Sequence, residues 1–136
     1  MRRARFLAVF ALVGLSAVAC GSRHVRLNPT NIVPAAQGRA TLGLNANGET
    51  TVDLELTHMT PPGRLSPPCR AYVVWIETDD EPALRKGELR VDDDWRAQLN
   101  FVAPARSFDI FITAENTALG DAPRGPELLR ASVNAK

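Results

Sequence analysis

Apolar and polar residues alternate along the chain from Gly38 onward. Ala40, Leu42 and Leu44 are separated by polar or small residues, and a second alternating stretch covers residues 51–57. Between the two stretches, Asn47-Gly48 provides a turn, because both residue types tolerate positive φ. The pattern predicts two antiparallel strands joined as a hairpin, with one face buried.

Five more strands are predicted downstream. Residues 71–76 are apolar on both faces, which indicates a strand covered on both sides. The other four cover residues 84–91, 95–103, 108–114 and 126–133. One face of residues 95–103 carries Trp95, Ala97, Leu99, Phe101 and Ala103, and one face of residues 108–114 carries Phe108, Ile110, Ile112 and Ala114. Residues 127–130 could instead form one helical turn. About seven short strands with regular turns predict an all-β fold, an immunoglobulin-like antiparallel β-sandwich or a small barrel.

Length and charge narrow the class of protein. The chain has 136 residues, enough for one domain with a single core, and its 16 basic and 15 acidic residues give a net charge of +1. This near-neutral balance lacks the positive surface that nucleic-acid binding requires. We therefore expect no nucleic-acid partner.

The first twenty residues predict export. Arg2, Arg3 and Arg5 precede an uncharged apolar run over residues 6–19, which is too short to span a bilayer as a mature helix. Its end, Leu-Ser-Ala-Val-Ala-Cys at residues 15–20, resembles the lipobox of bacterial lipoproteins, with Ala17 where Leu is most common. The resemblance implies cleavage before Cys20 and attachment of lipid to its sulfur and new amine. An ordinary signal peptide cut near Ala19 is the alternative.

These features divide the chain into three parts: a lipoprotein signal peptide over residues 1–19, a lipidated tether over residues 20–37 and a folded domain over residues 38–134. Removal of the signal peptide takes away three arginines, leaving 13 basic and 15 acidic residues and a net charge of −2.

If Cys20 carries lipid, Cys69 has no partner in its own chain. We predict that Cys69 is buried at the start of a strand, with pairing to another molecule or a reactive thiol as alternatives.

The order of short motifs resembles the extracytoplasmic C-terminal domain of the anti-sigma-K factor family. The motifs are Ala-Thr-Leu at residues 40–42, Ala-Tyr-Val-Val-Trp-Ile at 71–76, Lys-Gly-Glu-Leu at 86–89, Phe-Asp-Ile-Phe-Ile-Thr-Ala-Glu at 108–115 and Ala-Pro-Arg-Gly-Pro at 122–126. The resemblance implies an immunoglobulin-like sandwich that acts as a sensor or scaffold at the cell envelope. Family members also carry a cytoplasmic sigma-binding module and a transmembrane helix. A lipid signal stands in their place here, so we expect no direct contact with a sigma factor.

Candidate chemical groups are few. We predict that Tyr72 and Trp75 belong to the core rather than to a ligand groove. The acidic runs at residues 79–81 and 92–94 lack the spacing of a calcium loop, and His24 and His58 have no partner at ligand spacing. The serines of the mature chain, Ser22, Ser66, Ser107 and Ser132, occupy no Gly-x-Ser-x-Gly turn. We therefore expect no enzyme activity, no metal and no cofactor.

Residues 61–68 contain four prolines, and this segment either connects two sheets or presents a polyproline surface to a partner.

The sequence as a whole predicts a non-enzymatic, lipid-anchored cell-envelope protein held at the membrane through Cys20. We expect the domain to lie on the extracytoplasmic side of the cell membrane. In a diderm cell it would face the periplasm from the inner or the outer membrane. Its expected role is an interaction or sensor module with an envelope protein as partner. The alternatives are a passive structural lipoprotein and, last, a small hydrolase.

Overall fold

A computed structural model describes residues 22–135, and the fold in this range is all-β, as predicted. Eight strands are present, one more than the approximate prediction of seven: β1 Arg23–Pro29, β2 Gln37–Leu44, β3 Thr50–Thr57, β4 Ala71–Glu77, β5 Leu84–Leu89, β6 Ala97–Ala103, β7 Ser107–Glu115 and β8 Glu127–Asn134. One 3₁₀ turn covers Pro62–Arg64, and no α-helix occurs in the described range. The alternative of a helical turn at residues 127–130 is wrong, because these residues lie in β8.

The predicted hairpin is confirmed. Strands β2 and β3 pair from Gln37 opposite Thr57 to Leu44 opposite Thr50. The Asn45 side-chain oxygen accepts hydrogen bonds from the amides of Asn47 and Glu49, and Gly48 takes the positive φ of 77° that the turn requires. Alternate residues of both strands enter the core, although Leu44, the last residue of β2, remains 53% exposed.

The eight strands form one antiparallel sheet in the order β5-β4-β7-β8-β1-β2-β3-β6. Strand β1 joins its two halves, because Arg23 to Leu27 pair with β2 whereas Asn28 and Pro29 pair with β8. The sheet curls until its two outer strands approach each other, where Lys86 Nζ of β5 donates a 2.7 Å hydrogen bond to the carbonyl of Val102 in β6. The nearly barrel-shaped sheet encloses a continuous apolar core.

The described part of the predicted tether, residues 22–37, belongs to the fold, which corrects the prediction of a tether over residues 20–37. It contains β1, and Leu27, Val33 and Ala36 are buried in the core. The interior side of β1 carries Val25 and Leu27, while His24 and Arg26 lie on the exposed side. Only two apolar residues mark the buried face, which is why the sequence pattern predicts a polar linker here.

Strand β4 is buried on both faces, as predicted, but β7 is too, which the alternating pattern did not predict. Phe108, Ile110, Ile112 and Ala114 face the interior, while Phe111 packs with Val73 and Trp75 on the outside of the sheet. The side chain of Arg130 covers the Phe111 ring, with its guanidinium carbon 4.4 Å from the ring centre. An outer apolar layer therefore covers β4 and β7.

Trp95 does not share the buried face predicted for residues 95–103. Strand β6 begins only at Ala97, and Trp95 lies in the preceding turn with a φ of 62° and 43% of its surface exposed. Ala97 and Ala103 are buried as predicted, and Leu99 and Phe101 are half-buried. The turn's left-handed backbone at Trp95 breaks the alternation, because it rotates the side chain out of the strand pattern.

The sheet has two ends, which we name by where β1 begins. The proximal end contains Arg23, the last residues of β2, β4, β6 and β8, and the loops at residues 45–49, 78–83 and 104–106. The distal end contains the connections at residues 30–36, 58–70, 90–96 and 116–126. This division follows from the antiparallel order of the strands.

Replacement of Leu27 by Ala tests whether β1 is part of the core. Leu27 is 3% exposed, so Leu27→Ala is expected to lower the free energy of unfolding by about 2–5 kcal/mol in a urea titration. Leu119→Ala is the matched control, because Leu119 is 79% exposed and its loss is expected to change stability by less than about 0.5 kcal/mol. Equal, small effects of both substitutions would mean that residues 23–29 are a tether after all.

Candidate functional site

The proposed lipidation residue, Cys20, lies outside the described residues. The described chain starts at Ser22, and strand β1 begins at Arg23. Only residues 21 and 22 therefore separate Cys20 from the first strand. Any group attached to Cys20 is held close to the proximal end of the sheet.

Tyr72 and Trp75 are both core residues, as predicted. Tyr72 is fully buried, and its hydroxyl donates a hydrogen bond to the carbonyl of Thr60, which ties the β3–β4 connection to the core. Burial raises the pKa of the Tyr72 hydroxyl above its ordinary value. Tyr72 therefore acts as a neutral donor that fixes the start of this connection.

Trp75 begins a chain of buried hydrogen bonds on the outside of the sheet. Its ring nitrogen Nε1 donates to Thr113 Oγ1 at 2.8 Å, and the Thr113 hydroxyl donates to Glu115 Oε1 at 2.6 Å. The Glu115 carboxylate also accepts the backbone amides of Arg124 and Gly125 at 3.0 to 3.2 Å. These bonds hold the β7–β8 loop against the sheet, so the buried carboxylate has a structural role.

A second polar cluster surrounds Arg130 on the same outer face. The guanidinium forms ion pairs with Glu77 at 2.7 Å, Asp109 at 2.8 Å and Glu127 at 2.8 Å. The bonds to these carboxylates raise the pKa of Arg130, with the bond to Glu127 the largest contribution. The cluster joins β4, β7 and β8 and borders a shallow groove of about 350 Å³.

The two acidic runs lie at opposite ends of the sheet and do not form one site. Residues 79–81 are in a proximal loop, whereas residues 92–94 are in a distal turn. In the distal turn, Asp92 Oδ1 accepts the backbone amides of Asp94 and Arg96 at 2.9 Å each, so this carboxylate shapes the turn. Within residues 22–135, no group of three or more His, Cys, Asp or Glu side chains is placed to hold a metal ion.

The two histidines are also far apart along the sheet. His24 lies on the exposed side of β1, where Nδ1 is 3.1 Å from Thr41 Oγ1. His58 lies at the distal end, is exposed and has a φ of 55°. Ser107 and Ser132 are near the proximal end of β7 and β8, away from His58, so the fold does not bring these serines and His58 into one constellation.

The proline-rich segment forms a folded connection between β3 and β4. The carbonyl of Pro62 accepts hydrogen bonds from the amides of Leu65 and Cys69, and the 3₁₀ turn at Pro62–Arg64 replaces an extended polyproline conformation. This arrangement favours the connector over the polyproline surface. The segment nevertheless forms part of the distal end.

Cys69 lies half-buried at the end of this connection, two residues before β4, rather than fully buried as predicted. Its Sγ atom is 3.7 Å from the Pro62 carbonyl oxygen and 3.9 Å from that of Ala71. Burial raises the pKa of the Cys69 thiol above its ordinary value. The thiol is therefore mostly protonated and poorly nucleophilic at neutral pH.

The distal end carries exposed apolar side chains on separate loops. Ile32, Trp95 and Leu119 lie in the connections at residues 30–36, 90–96 and 116–126, and each exposes more than two-fifths of its surface. Large exposed apolar side chains are common at protein interaction surfaces. These three lie on loops at the distal end, which we take as the candidate interaction site. Sequence alternation could not identify it, because it depends on loop placement.

A wider groove of about 490 Å³ crosses the exposed face of β2, β3 and β6. Polar side chains such as Thr41, Asp53 and Asn100 and apolar side chains such as Phe101 and Val102 line it. The Gln98 amide donates to Asp53 Oδ1 at 3.1 Å. The groove is open along the sheet. Its shape suits a solvated face more than a pocket that encloses a small molecule.

Comparison with known proteins gives no assignment: no family model, no curated protein and no solved structure matches this chain. Among the described residues, no helix has the length and apolar character needed to cross a membrane.

The Gly125 position tests how closely the β7–β8 loop packs on the sheet. A Cβ atom at Gly125 would lie 1.6 Å from the carbonyl oxygen of Ala114, whereas a Cβ atom at Gly63 would meet nothing within 4 Å. Gly125→Ala is expected to destabilise the fold by about 1–3 kcal/mol or more in a urea titration, because the backbone must move. The control Gly63→Ala is expected to be near neutral. A near-neutral Gly125→Ala would contradict the packed loop.

Alkylation kinetics test the state of Cys69. In a Cys20→Ser variant, Cys69 is the one remaining cysteine, and the native thiol should react several-fold more slowly at pH 8 than in denaturant. Because burial raises the thiol pKa, the native thiolate fraction is the lower of the two. The difference should narrow as the pH rises past the raised pKa. Equal rates at pH 8 would show that the fold neither shields the Cys69 thiol nor raises its pKa.

Proposed function

We propose that this chain is a non-enzymatic, lipid-anchored cell-envelope protein that binds another envelope protein through the distal end. The observation that carries the proposal is the Cys20 lipobox resemblance followed, three residues later, by the first strand of the domain. An anchor of several acyl chains holds a protein stably at a membrane, whereas a single chain is marginal. Extracytoplasmic localisation follows from the signal segment.

The immunoglobulin-like sandwich and the relation to the outer domain of anti-sigma-K factors are part of this proposal. The strands fall into two groups of four, β1-β2-β3-β6 and β8-β7-β4-β5, with β1 changing partner between them. Such an arrangement supports a sandwich of two facing sheets. A role beside a separate regulator, without direct contact to a sigma factor, fits a domain that acts outside the membrane.

Interaction, rather than catalysis, is supported by what is exposed. The distal end presents Ile32, Trp95 and Leu119, while the buried carboxylate of Glu115 is fully used in holding its loop. Asp92 is likewise used in its turn. Exposed aromatic and aliphatic side chains are the groups that contribute most to protein interfaces.

Replacement of Cys20 by Ser tests the anchor, because it removes the sulfur that would carry lipid. We expect the full chain to sediment with membranes and to need detergent for release, and Cys20→Ser to lose this association. Cys69→Ser is the matched control and should stay in the membrane fraction. Membrane association of Cys20→Ser equal to that of the unaltered chain would contradict the proposal.

Site-specific photo-crosslinking tests the interaction in cells that make the lipidated protein. A crosslinking amino acid at Leu119 or Trp95 is expected to capture one discrete envelope protein, and one at the exposed Asn100 is not. Capture should fall in the Cys20→Ser background, because the anchor concentrates the domain at the membrane. The absence of any distal-end product would favour the passive structural lipoprotein instead.

A further inference from the structure

The absence of a long tether has a geometric consequence for a lipidated chain. Cys20 and Arg23 are three residues apart, so their Cα atoms are separated by at most about 11 Å. Strand β1 spans seven residues, which corresponds to roughly 23 Å. Because the strand is longer than this connection, the anchor can reach the proximal end of the sheet but not the distal end.

The start of β1 is firmly attached to its neighbours. Arg23 pairs with Leu42 of β2, and its guanidinium donates a 2.6 Å hydrogen bond to the carbonyl of Asn134 at the end of β8. Peeling this residue from the sheet to lengthen the connection would break these bonds. The domain therefore cannot move far from the lipid without losing structure.

The proximal end also exposes apolar side chains. Leu44 is 53% exposed, Leu84 is 51% exposed and Val102 is 40% exposed. They lie at the proximal ends of β2, β5 and β6, and the curled sheet brings β5 beside β6, as the Lys86 bond to the Val102 carbonyl demonstrates. Leu84 and Val102 thus lie on neighbouring strands of this end, and Leu44 lies on β2, which β3 separates from β6.

The proximal end has no excess of positive charge. Its cationic residues are Arg23, Arg85, Lys86 and Arg106, and its anionic residues are Glu49, Glu77, Asp79, Asp80 and Glu81. A surface that bound anionic lipid through electrostatics would carry an excess of Lys and Arg. This charge distribution therefore favours apolar contact with the headgroup and upper acyl region, independent of anionic lipid.

From these observations we infer that the proximal end is a membrane-contact surface, with Leu44 and Leu84 inserted at the bilayer interface and the distal loops directed away from it. The inference rests on the proposed lipidation of Cys20. The bilayer that holds the anchor covers this surface, because only two residues separate Cys20 from the start of β1. This orientation also directs the distal end toward a partner in the envelope.

Tryptophan fluorescence on vesicles tests this orientation. The lipidated full chain is reconstituted in phosphatidylcholine vesicles with or without brominated acyl chains, as Leu44→Trp, Leu84→Trp and the matched control Leu119→Trp. Native Trp75 and Trp95 contribute the same background to every variant. We expect brominated lipid to quench the added fluorescence of Leu44→Trp and Leu84→Trp, with a blue shift, and to leave that of Leu119→Trp unchanged.

Two further arms sharpen the result. Ala46→Trp places the reporter at the exposed tip of the proximal hairpin turn and serves if a substitution within a strand impairs folding. Quenching at the proximal end should be the same at high salt and with phosphatidylglycerol added, because the contact is apolar. Quenching that requires phosphatidylglycerol or disappears in salt would contradict the apolar contact.

Flotation of the vesicles and the mass of the Cys20 peptide are measured in the same samples. Protein that floats and carries lipid but has no quenching at any proximal tryptophan, or equal quenching at Leu119→Trp, overturns the orientation alone. Protein without lipid that does not float overturns the proposed function, and the orientation with it. The two failures are therefore distinguishable.

Discussion

The structure depends on the divided pairing of strand β1. Its first five residues bond to β2 and its last two to β8, so one short strand connects the two groups of strands into a single sheet. Leu27 on its inner side reaches the shared core. Without β1, the outer strand of each group would expose unpaired backbone groups, which favour aggregation. The segment that resembles a linker in sequence therefore joins the two groups of strands.

The outer layer over β4 and β7 is the second notable feature. Trp75, Phe111 and Val73 pack outside the sheet, where the β7–β8 loop is fixed by the Glu115 carboxylate and the Phe111 ring is covered by Arg130. A buried carboxylate is tolerated when its oxygens accept several hydrogen bonds, as those of Glu115 do. This layer holds the β7–β8 loop of the distal end against the sheet.

Short sequence patterns predict the strands and turns that neighbouring residues alone determine. Alternation and Asn47-Gly48 were sufficient for the β2–β3 hairpin, and the doubly apolar run identified β4. Long-range effects were not predictable. The burial of Glu115 depends on a loop ten residues later, and the exposure of Trp95 depends on a left-handed turn. Strand β1 belongs to the sheet because it pairs with strands distant in sequence. The candidate interaction site at the distal end arises from the topology of the loops, which no single segment encodes.

We propose that a lipidated Cys20 holds this domain directly on the membrane, with the distal end outward. Neutron reflectometry of the lipidated protein on a supported bilayer measures this arrangement most directly. We expect protein density that begins at the headgroups, with no water layer between, and extends roughly 30 Å, the length of a nine-residue strand such as β7. A hydrated gap of about 20 Å, as a flexible tether over residues 21–37 would give, would contradict it.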